Sequence, residues 1–90
     1  MHNKITYNFD PEKNRKLIEV RRISFEKIIS ALDTRGALDV LMNPNYAHQK
    51  MYVVELHDYI YLAPFVEERN YIFLKKAYPS RKAEKIYLID

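Results

Sequence analysis

The chain has 90 residues, 48% apolar, 13% aromatic and 30% charged, and carries a formal net charge of +3, the balance of one small soluble domain spanning 1–90 that buries roughly 65% of its unfolded surface. With no cysteine and a single glycine, Gly36, it has no disulfide framework, thiolate zinc site or cysteine nucleophile, and none of the glycine-rich cradles that phosphate-bearing cofactors need. No apolar run approaches the ~18 residues of a membrane span, and Met1-His2-Asn3-Lys4 leads into no signal-peptide region, so the expectation is a cytoplasmic protein with no membrane partner.

In chain order, residues 4–9 alternate, with Ile5, Tyr7 and Phe9 on one side of a half-buried strand. Asp10-Pro11-Glu12 then starts a helix running to Arg21 or Arg22, with aspartate as the cap and proline at the first helical position. Ser24 caps a second helix, with Ile23 placed to staple onto Ile28; Phe25, Ile28, Ile29 and Leu32 form its apolar stripe, and Gly36 closes it. Residues 38–42 form a short strand, and Asn43-Pro44-Asn45 a turn. Strands at 50–56 and 59–66 flank a tight His57-Asp58 connection, and Pro64 demotes the end of the second to an edge or bulge. Residues 67–70 turn the chain into a strand at 71–76. Pro79-Ser80 opens a short C-terminal helix, with Ala83, Ile86 and Tyr87 inward. The order predicts an α+β domain: an N-terminal strand, two helices, an antiparallel sheet of about four strands, and a final helix.

Charge is unevenly spread. Residues 1–30 carry seven basic and four acidic groups, 31–70 three and six, and 71–90 five and two, so basic ends flank an acidic middle and offer a local positive surface to a polyanion. His2, His48 and His57 lack ligand spacing, and Ser24, Ser30 and Ser80 lie in no nucleophile elbow, so neither metal, cofactor nor serine hydrolysis is expected. What remains is basic and aromatic. On the 71–76 strand, alternation places Tyr71, Phe73 and Lys75 on one face and Ile72, Leu74 and Lys76 on the other. Lys50 leads into its own strand, Tyr59 and Tyr61 share a face, and Arg81 and Lys82 fall in the first turn of the last helix. Such groups suit RNA cleavage without a metal, which requires deprotonating a 2′-hydroxyl, neutralising the phosphorane and protonating the leaving oxygen, with splayed bases stacked on tyrosines. The same lysines also read as the charged end of an edge strand, the tyrosines as core and rim aromatics, and Glu67 and Glu68 as a solvated turn.

The stretch YNFDPEKNRKLIEVRRISFEKIISAL, residues 7–32, resembles the opening of the BrnT-like toxins: an aromatic-x-aromatic-Asp strand end, a Lys-Asn-containing helix, a short break, then Ser-Phe and an amphipathic helix. Residues 49–88, containing APFVE, IFLKK and PSRK, are similar to a subgroup of that family. The resemblance implies a RelE-like fold and a type II toxin. Such a toxin cleaves mRNA in the cytoplasm, arrests translation and growth, is neutralised by a DNA-binding antitoxin in a dimer or heterotetramer, and touches operator DNA only through that complex. Carried onto this chain, it implies Lys75 and Arg81 for phosphate stabilisation in the transition state, Lys50 for the substrate phosphate and Glu68 or Tyr61 for proton transfer. Lys76, Lys82, Lys85 and Tyr87 would contact RNA. The sequence departs from the pattern at Arg21-Arg22, where His-Gly is more usual, and at Ala77, where an arginine is usual. Those departures favour an alternative: an inactive module that binds an antitoxin and assists operon repression. A plain RNA-binding domain is a third reading, though no RNP-like motif is present.

Overall fold

A computed structural model describes residues 5–88; Lys4, at the start of the expected first strand, and His2 lie outside them. Local signals set most element ends. The Asp10 carboxylate accepts from Glu12 N at 2.9 Å and starts α1 (Pro11–Arg21), while Ser24 Oγ accepts from Lys27 N at 3.1 Å and starts α2 (Phe25–Thr34). Gly36, at φ 78°, takes the left-handed turn just beyond α2. His57 and Asp58, both at positive φ (54° and 65°), make the two-residue turn whose twist suits a hairpin.

The first strand is β1 (Tyr7–Phe9), and four more follow α2: β2 (Asp39–Met42), β3 (Lys50–Leu56), β4 (Tyr59–Glu67) and β5 (Ile72–Leu74). A two-residue strand, β6 (Tyr78–Pro79), leads through Ser80 into α3 (Arg81–Tyr87), where Ser80 Oγ accepts from Ala83 N at 3.1 Å. All six strands join one sheet in the order β1-β5-β4-β3-β2, with β6 beside β4. The expectation of about four antiparallel strands is therefore corrected. The N-terminal strand runs parallel to β5, and β5 stops at Leu74, so Lys75 and Lys76 lie in its connection to β6.

Pro64 is also corrected: it is buried within β4, opposite Met51 of β3, and is neither edge nor bulge. The physical reason lies on its other side. β5 pairs with Phe65–Glu67 and β6 with Tyr61 and Leu62, so the position where proline has no N–H to donate faces the break between those strands, and its carbonyl accepts from Lys75 N at 2.8 Å.

One sheet face packs against the two N-terminal helices through Phe25, Ile28, Leu32, Tyr52, Val54, Phe65 and Leu74, with Tyr52 stacked on Phe65 (centroids 4.0 Å apart) and Phe9 on Phe25 (5.2 Å). The other carries a smaller cluster of Val53, Ile60 and Ala83, flanked by Leu41, Leu62 and Tyr87. Ala83 and Tyr87 pack inward as expected, but Ile86 is corrected: it is 57% exposed, at the rim of an open hollow lined also by Leu41 and Met42.

α1 ends on Arg22, which sits at φ 59° and donates its N–H to Ile18 O at 3.0 Å. A side chain in that conformation costs roughly 1 kcal/mol relative to glycine. Arg22→Gly is therefore expected to raise the stability measured by urea unfolding by about that amount, with the slope against denaturant unchanged.

Candidate nucleic-acid interface

Little of α1 is buried: among its residues only Asn14 is inside, while Ile18 is 47% and Val20 74% exposed. Its faces divide the charge. Glu12, Arg15 and Glu19 follow one another at helical spacing, Arg15 lying 2.8 Å from Glu12 and 3.4 Å from Glu19, so this face takes up its one cation and stays net acidic. Lys13, Lys16, Leu17, Val20 and Arg21, spaced i, i+3, i+4, i+7 and i+8, form a separate stripe that lines an open groove of about 300 Å³.

The far wall of that groove is Lys75, Lys76, Ala77 and Tyr78. Because Lys75 is anchored by its backbone to Pro64 in the sheet, the two lysines are held against α1 instead of trailing from a strand end. Lys75 Nζ also sits 5.3 Å from the Phe73 ring centroid, a cation–π contact that limits its wandering. Among the described residues, none of Lys13, Lys16, Arg21, Lys75 and Lys76 pairs with a carboxylate. Five cations along one groove give a field suited to a chain of phosphates.

A second hollow of about 330 Å³ adjoins the first, sharing Lys13, Lys75, Lys76 and Tyr78, and is closed by Asn43, Asn45, Tyr46, Gln49 and Pro64. Its wall is amide and aromatic, not charged.

The remaining sequence-derived candidates lie elsewhere. Ser80 N donates to Ile60 O while Lys75 N donates to Pro64 O, so these anchor points are four residues apart on β4, roughly 13 Å at ~3.3 Å per residue. Arg81 and its neighbours Lys82 and Lys85 therefore belong to α3, on the opposite sheet face, and Lys82 lines an apolar hollow with Leu41, Met42 and Ile86. Tyr87 donates its hydroxyl to Asp39 Oδ2 at 2.7 Å; the bond holds the phenol above its usual value and the carboxyl below its own. Lys50 Nζ is 2.9 Å from Glu67 Oε1, a surface pair that offsets its charge. Glu68 turns the chain between β4 and β5, its N–H donating to Tyr71 O, and lies as far along β4 from Pro64 as Ser80 does, in the other direction. Tyr61 is buried beneath the N-terminal helices. Burial raises its phenol while the Arg21 guanidinium works the other way.

Lys75 and Lys76 are thus brought together with Lys13, Lys16 and Arg21, and the charged end of α3 is not. Nothing in residues 1–30 taken as a charge count marks the three helical cations, but their spacing was a usable signal. Among the described residues no group of three or more His, Cys, Asp or Glu side chains is placed to hold a metal ion, and no helix is long and apolar enough to cross a membrane. No protein-family model, curated protein or solved structure matches the chain.

Proposed function

We propose that this chain is an endoribonuclease toxin of the BrnT-like, RelE-fold kind, acting in the cytoplasm on mRNA without a metal and neutralised by a DNA-binding antitoxin. The observation that carries the reading is the groove with five cations from α1 and the β5–β6 connection, none of them paired with a carboxylate among the described residues. The left-handed backbone at Arg22 supports it too, since that is where the resembled pattern carries glycine. In the proposed reaction the 2′-oxygen attacks its own phosphorus, the bond to the 5′-oxygen breaks and a 2′,3′-cyclic phosphate forms. The 2′-proton leaves to a base and a proton is delivered to the 5′-oxygen. Lys75, Lys76 and Arg21 neutralise the phosphorane, and Lys13 and Lys16 hold the flanking phosphates.

A second reading, an inactive module that binds an antitoxin and assists repression, is favoured by Leu38, Val40 and Met42. Leu38, just before the outer strand β2, is 48% exposed, and Val40 and Met42 within it are 47% and 64% exposed, at an edge where a partner can add a strand. Inducing the chain alone in a bacterial host while mapping transcript 5′ ends tests the two. New ends accompanied by growth arrest are the expected result. Normal growth with folded protein and no new ends overturns the nuclease reading and leaves the interaction module.

A further inference from the structure

The hollow beside the cationic groove has a different chemistry, set by the loop between β2 and β3. Residues 43–49 are closed on themselves: Asn43 N donates to Gln49 O (3.0 Å), Gln49 N to Tyr46 O (3.1 Å), and Asn45 N to the Asn43 side-chain oxygen (3.0 Å). That last bond fixes which way the Asn43 amide faces. Its nitrogen must then be the donor to Gln49 Oε1, at 3.3 Å, and the Gln49 Nε2 group is left without a protein partner among the described residues. The Asn45 carboxamide has none either. Tyr46, at the tip of this braced loop, is 54% exposed yet lines the hollow.

We infer that this hollow seats one nucleobase of a single-stranded RNA whose phosphates lie on the cations, with Tyr46 stacking on the base and Gln49, assisted by Asn45, reading its edge. The inference rests on the RNA-binding reading above and adds to it the strandedness of the substrate and a determinant of base preference. Geometry supports the pairing. Lys13, Lys75, Lys76 and Tyr78 line both hollows, so a phosphate held there leaves its base beside the amide wall. At about 330 Å³ the hollow falls in the range of small-ligand sites. A duplex cannot use it, because its bases are stacked and paired, whereas an unstacked base offers both a face and an edge.

The test is fluorescence anisotropy with short labelled 2′-O-methyl homopolymers of A, C, G and U, which carry bases and phosphates but no attacking hydroxyl. The unsubstituted chain is expected to rank the four, binding one about tenfold more tightly than the weakest, and Tyr46→Ala to weaken all of them about tenfold while Tyr46→Phe does not. Gln49→Glu keeps the acceptor for Asn43 and turns the unpartnered amide donor into a carboxylate oxygen; beyond the uniform weakening its charge causes beside Lys75 and Lys76, it is expected to alter the ranking. Equal binding of all four homopolymers, an unchanged affinity in Tyr46→Ala, or an unchanged ranking in Gln49→Glu overturns the inference while leaving RNA binding standing. Failure of every homopolymer to bind the unsubstituted chain overturns the RNA reading itself.

Discussion

Replacing Lys75 and Lys76 together by alanine is expected to lower affinity for single-stranded RNA about 100-fold, since two charge-assisted phosphate contacts are worth roughly 3 kcal/mol together. A plot of log affinity against log salt distinguishes this from unfolding. With five phosphate contacts its slope is about −3.5, and removing two brings it to about −2. The thermal midpoint is expected to move little, because Lys76 is exposed and Lys75 half-buried, with its backbone bond to Pro64 retained. Growth arrest on induction is expected to disappear with the double substitution. Arg81→Ala is expected to change RNA affinity less than twofold at equal salt, since α3 stands on the other sheet face and roughly 13 Å along β4 from the Lys75 anchor. The reverse outcome, with Arg81→Ala decisive and the lysine pair silent, would falsify the groove as the site.

That contrast marks where sequence reasoning reaches and where it stops. Asp10-Pro11, Ser24, Ser80 and His57-Asp58 act within a few residues of themselves, so their capping and turning were legible in the chain and recur in the hydrogen bonds and dihedral angles. Lys75 and Lys76 were legible as unusual charge at the end of an apolar strand. The parallel pairing of β1 with β5 joins Asn8 to Phe73 across most of the chain, and no local pattern encodes it. Pro64 misleads for the same reason: its missing donor is harmless only because β5 ends and β6 begins beside it, a tertiary fact. Arg81 lies six residues from Lys75 in sequence, which invited their pairing, yet the chain spends those residues crossing the sheet. Lys13, Lys16 and Arg21, remote from Lys75 in sequence, are the ones delivered to it, and their helical spacing was present in the sequence all along.

The residue that keeps those helical cations in place is Asn14, and its loss is expected to have the largest effect on the fold of any polar substitution. Its side chain is buried at the joint of the two N-terminal helices, accepting from Phe25 N at 2.8 Å and donating to Glu26 Oε1 at 2.8 Å. Asn14→Ala leaves the Phe25 N–H buried without a partner and removes a bond to a carboxylate, costing about 3 kcal/mol, which in a domain this small lowers the thermal midpoint by roughly 10–20 °C. Asn14→Asp keeps the acceptor for Phe25 but sets two carboxylates together, so an intermediate loss is expected. The Glu26 carboxyl reports on the joint independently. It is held below its ordinary value chiefly by the Asn14 amide, then by a backbone hydrogen bond, against a small opposing effect of burial. A carboxyl depressed in the folded state stabilises it above the unfolded pKa, and that contribution is lost as pH falls through the folded value. The Glu26 resonance followed by NMR is therefore expected to titrate below the ordinary glutamate value in the native chain and to move up toward it in Asn14→Ala, where that acid-sensitive stability also shrinks. Because Lys13, Lys16 and Arg21 ride on the same helix while Lys75 and Lys76 are anchored through the sheet, Asn14→Ala is expected to weaken RNA binding at temperatures where the sheet is still folded, with the loss confined to the helical side of the groove.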